Sequence, residues 1–187
     1  MGCPLRCTYC DTEYAFYEGK AKSFDAIFET LAAYGTKLVE VTGGEPLAQP
    51  KSIPFMRELV AKGYEVLLET SGAYPTASLP EEVQVILDVK TPSSGEAHRH
   101  HWDNMGNLKA GRDEVKFVVG DRADFDYALD VERRYALLSR GVTCLMSPVH
   151  GKLENKQLVE WILESRRDFR FQVQMHKYIW EPSTRGV

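Results

Sequence analysis

The sequence predicts an α/β domain built on a mostly parallel sheet of about six strands. Three observations carry that expectation. Short apolar, β-branched runs alternate with amphipathic helical stretches along most of the chain. Polar signatures recur just after the strand-like runs, where parallel barrel-like folds collect their functional residues. The length, 187 residues with 43% hydrophobic content, suits one domain with a substantial core.

The elements follow in order. Residues 23–34 place Phe24, Ile27, Phe28 and Leu31 at i, i+3, i+4 and i+7, a helix with one apolar face. Ser23 can cap its start, and Gly35 ends it. A strand at 38–42 leads to a helix at about 53–62, with Phe55, Met56, Leu59 and Val60 inward and Gly63 beyond it. Strands at 64–69 and 83–88 come next. Residues 91–112 are rich in Pro, Gly, His and Asn without period and read as a long loop, functional or mobile. A strand at 115–119, a helix at 122–139, a strand at 143–147, a helix at 154–166 and a strand at 170–174 complete the series. Right-handed crossovers would make the sheet parallel. With no repeat, linker or low-complexity segment, residues 1–187 are expected to form a single domain.

Composition excludes several classes. Twenty-three basic against 27 acidic residues give a net charge of −4. Such a chain has no global electrostatic reason to bind nucleic acid or an anionic membrane. No apolar run approaches the ~18 residues of a membrane span. Met1-Gly2-Cys3-Pro4 lacks the apolar stretch of a signal peptide. The expectation is a cytoplasmic protein, with no nucleic-acid or membrane partner.

The cysteines point to a metal. Cys3, Cys7 and Cys10 form C-x3-C-x2-C, while Cys144 sits in an apolar run and reads as a small core residue. Clustered thiols in a reducing compartment bind metal more often than they form disulfides. Three ligands leave one position open. A structural zinc site would need a fourth, with His98, His100, His101 or His150 as distant candidates. A [4Fe–4S] cluster on three thiolates keeps one iron free to react.

Five polar segments follow the strands: Thr42-Gly43-Gly44-Glu45-Pro46, Glu69-Thr70-Ser71-Gly72, Asp88-Val89-Lys90 with Thr91-Pro92-Ser93-Ser94-Gly95, Ser147-Pro148-Val149-His150, and His176-Lys177-Tyr178. Any one could be a turn. Five at one edge are hard to assign to turn chemistry alone.

The cysteine triplet followed by G-G-E-P resembles the radical S-adenosylmethionine superfamily. Over its whole length the chain more closely resembles the 7-carboxy-7-deazaguanine synthase family. The specific signatures are Cys10-Asp11-Thr12, Asp88-Val89-Lys90-x-Pro92-Ser93-Ser94-Gly95, Gln174-Met175-His176-Lys177-Tyr178 and Arg185-Gly186-Val187. The resemblance implies a partial, open (β/α) barrel of the radical SAM type. It also implies a lyase that rearranges 6-carboxy-5,6,7,8-tetrahydropterin to 7-carboxy-7-deazaguanine with loss of ammonia, toward queuosine and other 7-deazapurines. A deoxyadenosyl radical would carry the chemistry, with no side-chain acid or base assigned. The implied cofactors are a [4Fe–4S] cluster, S-adenosylmethionine and Mg²⁺. The implied partners are the pterin, a flavodoxin- or ferredoxin-type electron donor and a second copy in a homodimer.

Residue roles carried over by the same resemblance are these. Cys3, Cys7 and Cys10 would ligate the cluster, and Thr12 would ligate Mg²⁺. Tyr9, Cys10, Asp11, Gly43, Gly44, Glu45, Ser71, Asp88, Val89, Lys90 and the Ser147, Pro148, Val149, His150 segment would bind S-adenosylmethionine. Thr42 and the terminal carboxylate of Val187 would touch substrate. Asp88 and Lys90 could instead form a structural ion pair, and Thr12 could be a turn residue. His98, His100 and His101 are expected to be solvent-exposed and receive no role. Lys109, Arg112 and Lys116 make no basic stripe.

The family's usual N-terminal strand, and its Gln-Gly-Glu-Gly-type substrate loop with a following Arg, have no counterpart ahead of Cys3. Either the true start lies upstream of Met1 or the chain is a shortened relative; the intact later motifs favour the former. Two other functions compete. A glycyl-radical-enzyme activase would share the cysteine triplet but not the Asp88–Gly95 and His176–Tyr178 signatures. A zinc-stabilised binding module would leave the strand-end segments without a purpose.

Overall fold

Strand order decides where everything else sits. The computed structural model describes residues 2–186. Its six strands are β1 (Leu38–Val41), β2 (Glu65–Thr70), β3 (Gln84–Val89), β4 (Glu114–Val119), β5 (Thr143–Pro148) and β6 (Arg170–Phe171). They form one sheet in the order β1-β2-β3-β4-β5-β6, with every neighbouring pair parallel. A parallel sheet that always advances in one direction, with right-handed crossovers, puts its helices on one face. The other face is left concave. β1 and β6 are not paired with each other, so the sheet stays open rather than closing into a barrel.

Side-chain alternation matches that asymmetry. Val66 and Leu68, Val85, Leu87 and Val89, Val115, Phe117 and Val119, and Cys144 and Met146 are buried on the convex face. Helix α2 (Ser52–Ala61) brings Met56 and Leu59 against this layer, α4 (Arg122–Tyr135) brings Phe125 and Ala128, and α5 (Asn155–Ser165) brings Leu158 and Ile162. The intervening strand positions carry Glu40, Glu69, Asp88 and Lys116, a run of charges along the concave face. Helix α1 (Phe24–Tyr34) is capped by Ser23, whose hydroxyl accepts from Ala26 N, and ends at Gly35 with φ 68°. Its apolar stripe is only half-buried, lying over Phe55 and Tyr64 at the β1 edge.

Three expectations change. The third long helix stops at Tyr135 rather than 139, because Ala136 turns left-handed (φ 51°) and Leu137 N bonds back to Glu132 O. That closure drives Leu137 fully into the core. The last strand covers Arg170–Phe171 only, since the chain after Gln172 bends toward the concave face and into the short helix His176–Ile179. Residues 91–112 are not a loose loop. They hold helical turns at Pro92–Ser94, Ala97–Arg99 and Asn104–Asn107 (α3), with Thr91, Ser94, Asn104 and Met105 buried. Asn104 is the pin: its Oδ1 accepts from Thr76 N at 2.9 Å, and its Nδ2 donates to Gly72 O and Tyr74 O.

Candidate active site

The N-terminal segment crosses the carboxyl ends of the strands. Gly2 O accepts from Glu45 N at 2.8 Å, and Cys10 N donates to Cys7 O at 3.1 Å, closing a turn around Thr8 and Tyr9. A Cβ on Gly44 would stand 2.4 Å from Gly2 O and 2.9 Å from Cys3 Cβ, so the two segments meet only because position 44 is glycine. Cys3, Cys7 and Cys10 are free, half-buried thiols lining one cavity of about 520 Å³. Burial pushes the Cys7 thiol up to about 11 and raises Cys3 as well, so metal binding there must displace protons.

The donor set discriminates between metals. Zinc needs its ligands to converge on one ion. Among the described residues, no three His, Cys, Asp or Glu side chains do so. A cubane asks less convergence, since each thiolate takes a separate iron. Three thiols along one wall of a cavity fit that demand, and Asp88 Oδ1, buried and without a hydrogen-bond partner among the described residues, fits a ligand that brings a donor.

Two strand ends build the floor beneath the thiols. At the end of β3, Lys90 Nζ lies 2.6 Å from Asp88 Oδ2, with both side chains nearly buried. Burial alone would raise the Asp88 carboxyl, but the Lys90 and Lys116 ammoniums win and hold it below the usual range. Burial likewise opposes the Lys90 charge, and Asp88 overcomes it, raising Lys90. The pair is thus an ion pair and a cavity wall at once. Tyr9 lines the same wall, its phenol raised by burial. Against the end of β2, Glu45, from the segment after β1, is 1% exposed and its carboxylate is saturated. Oε1 accepts from Leu47 N and Thr70 Oγ1, both at 2.8 Å. Oε2 accepts from Ser71 N at 2.8 Å and Ser71 Oγ at 2.5 Å. Glu45 therefore holds Ser71 in place; it does not line the cavity, contrary to its expected contact with cofactor.

His100 corrects another expectation. It is half-buried rather than solvated, and its Nε2–H donates to Lys90 O at 3.0 Å. Burial lowers its pKa, against carbonyls of Lys90 and Ser71 that raise it. Its ring lies 4.9 Å from that of Trp102, which stacks on Tyr135.

The remaining expected residues divide cleanly. Thr42, Gly43, Ser71, Asp11, Thr12 and Ser147 line the cavity, and Thr12 Oγ1 lies 3.7 Å from Cys10 Sγ. Val89 does not, because alternation turns it into the apolar layer. Of Ser147–His150 only Ser147 faces the cavity; Pro148 and Val149 are buried elsewhere and His150 is exposed. Val187 lies outside the described residues.

Sequence reasoning missed the depth of the site. Glu40, Glu69 and Lys116 line it, with Lys116 Nζ 2.6 Å from Glu69 Oε1. Burial, then the Glu69 carboxylate, raises Glu40. The signal was available: Glu40 and Lys116 are charges inside short, mostly apolar strands and Glu69 lies next to the end of β2, a placement of charge that a sheet covered on both faces would not tolerate. The segment Gln172–His176 forms the lip. It is tied down at Asp11 Oδ2, which accepts from Gln174 Nε2 and Lys177 Nζ, each at 3.1 Å.

Residues 1–164 match the Radical SAM superfamily. Solved structures share the fold. Streptococcus suis SuiB bound to S-adenosylmethionine superposes with a TM-score of 0.61 at 13% identity, covering 93% of this chain and 48% of that one. A radical SAM methyltransferase from Sphaerobacter thermophilus gives 0.61 at 14%, covering 92% and 63%. The chain spans about half the length of SuiB. An open parallel sheet with a cysteine triplet across its strand ends is thus a radical SAM domain. Closer relatives narrow the class. The 7-carboxy-7-deazaguanine synthase of Koribacter versatilis is 42% identical over 201 residues, covering 99% of this chain and 88% of that protein. That of Chlorobaculum tepidum is 38% identical, covering 100% and 85%. The chain belongs to the 7-carboxy-7-deazaguanine synthase family.

Proposed function

We propose that this chain is a radical S-adenosylmethionine lyase. It converts 6-carboxy-5,6,7,8-tetrahydropterin to 7-carboxy-7-deazaguanine, releasing ammonia, in the formation of queuosine and other 7-deazapurines. One observation carries the reading: the cysteine triplet, Gly44, Asp88 and Lys90 share a single cavity in a chain 42% identical to a synthase of that name.

When bound, a [4Fe–4S] cluster with S-adenosylmethionine supplies one-electron radical chemistry that no side chain can. Cys3, Cys7 and Cys10 hold the cluster. The Gly43-Gly44 backbone admits the cofactor closely, since no side chain intervenes. Asp88 Oδ1 accepts a hydrogen bond from it, and the Lys90 ammonium, neutralised by Asp88, donates without adding net charge. Ser71 Oγ–H donates its hydrogen bond to Glu45 Oε2, which leaves the hydroxyl oxygen as an acceptor for the cofactor. Deeper in, Thr42, Glu69 and Lys116 hold the pterin, and Glu40 keeps its proton to higher pH than an ordinary carboxyl and can donate it. Thr12 offers one oxygen to Mg²⁺, which takes few protein ligands and retains water. The Asp11 clasp holds the Gln172–His176 lip over the cavity and limits water entry.

The working protein is a homodimer in a reducing cytoplasm, reduced by a flavodoxin- or ferredoxin-type donor. The test is anaerobic reconstitution with iron and sulfide. S-adenosylmethionine, a reductant, Mg²⁺ and the carboxytetrahydropterin are then added, and products are read by mass spectrometry. The deazaguanine acid and ammonia in equal amounts support the reading. Cleavage of S-adenosylmethionine with no conversion of the pterin would overturn the substrate, and no cluster at all would overturn the enzyme.

A further inference from the structure

The residues on either side of Cys7 are tied to one distant stretch. Thr8 N donates to Ser94 O at 3.0 Å, and Thr8 Oγ1 donates to Ser93 O at 2.7 Å. Arg6 N donates to Glu96 Oε1 at 2.8 Å. None of Ser93, Ser94 or Glu96 lines the cavity.

That stretch is fixed from behind. Asp124, fully buried in the first turn of α4, accepts from Ser93 N at 2.8 Å, from Ser93 Oγ, and from Gly120 N at 2.8 Å. Ser94 Oγ donates to Thr91 O at 2.6 Å and accepts from Glu96 N at 3.0 Å. Thr91 Oγ1 donates to Val118 O at 2.8 Å. Asp124 is not spent on capping its own helix. Asp121 does that, accepting from Asp124 N at 3.0 Å. A buried carboxylate freed from capping and given to a serine two steps from a metal loop calls for another purpose.

We propose that Ser93, Ser94, Glu96 and Asp124 form a cradle that presets the Cys7–Cys10 loop for cluster ligation. They are positioning residues and touch neither cluster nor substrate. The Pro92-Ser93-Ser94-Gly95 signature then serves the metal loop rather than the cofactor pocket. The physical basis is preorganisation: a loop already held in its ligating shape loses less backbone entropy when iron binds. The cradle rests on the cluster reading above.

The test uses Thr8→Val, which removes one cradle bond from an exposed loop residue, with Thr8→Ser as the rescue and Asp124→Asn as a second probe. Each protein is reconstituted anaerobically, and loss of iron to a chelator is followed, beside thermal unfolding of the metal-free form. Thr8→Val is expected to lose iron about fivefold faster, the effect of one hydrogen bond. Thr8→Ser should match the parent, and metal-free Thr8→Val should unfold within about 4 °C of the parent, the global cost of one lost hydrogen bond. Equal retention by parent, Thr8→Val and Asp124→Asn would overturn the cradle alone. A fall in metal-free unfolding temperature of more than about 8 °C, well beyond one hydrogen bond, would assign the faster loss to general unfolding and overturn it too. A parent that takes up no iron would overturn the cluster reading and the cradle with it.

Discussion

Replacing Glu45 by Gln changes one atom and removes a charge, and the structure says what that costs. The carboxylate accepts four hydrogen bonds, two at each oxygen, in a site 1% exposed. Glutamine keeps one acceptor oxygen and turns the other into a donor. The Thr70 and Ser71 hydroxyls can rotate to accept; the backbone cannot. With the amide nitrogen at the Oε1 position, Leu47 N–H faces a donor; at the Oε2 position, Ser71 N–H does. Either way one buried amide loses a charge-assisted bond and faces repulsion. That is about 3 kcal/mol, the upper part of the range for hydrogen bonds to charged groups. For a chain of this size it lowers Tm by roughly 6–12 °C. The assay is thermal unfolding of the metal-free protein by circular dichroism under reducing conditions. A shift below about 2 °C would refute the argument, because the carboxylate would then not be saturated by those donors.

Other outcomes follow from the same geometry. Lys90→Met leaves Asp88 buried without its nearest cation and should destabilise by about 3 kcal/mol; adding Asp88→Asn should recover most of the loss in urea titrations. The Asp88 pKa is depressed on folding, so its contribution is complete above the unfolded value of about 3.9 and is lost as pH falls through the lower folded value. Acid unfolding of Asp88→Asn should therefore show a shallower pH dependence below about pH 4 than the parent. Cys144 is fully buried, with its thiol pushed up to about 12 by burial, so native alkylation should label Cys3, Cys7 and Cys10 and spare Cys144, as peptide mapping would report.

The sheet was legible because its apolar strand positions repeat with period two and its helices with period 3.6; five strand ends then declared themselves through polar runs. Boundaries slipped where long-range contacts overrode local pattern. Ala136 reads as a good helix residue, yet burying Leu137 forces it left-handed. Val173 and Gln174 look like strand, yet the chain leaves the sheet to form a lip over the cavity. Within the site, the cysteine triplet was readable from its spacing, and Gly44, Asp88 and Lys90 received roles only through the family resemblance. The second half of Glu45's story was not, since its four donors come from residues as far off as Ser71 and only the fold brings them together. His100 looked like a solvated histidine in a polar loop because nothing local shows that Lys90 O lies beside it. Glu40 was passed over, Glu69 was named only within a strand-end run, and Lys116 was weighed only for a basic stripe; their meaning appears when the sheet puts them on the same face.

The central claim is that Cys3, Cys7 and Cys10 hold a cluster with one iron open to S-adenosylmethionine. The most direct measurement is electron paramagnetic resonance of the anaerobically reconstituted, dithionite-reduced protein, with and without S-adenosylmethionine, beside iron, sulfide and zinc analysis. The account predicts about four irons and four sulfides per chain and a reduced-cluster signal that changes when S-adenosylmethionine is added. A protein that binds zinc in place of iron, or a cluster signal indifferent to S-adenosylmethionine, would contradict it.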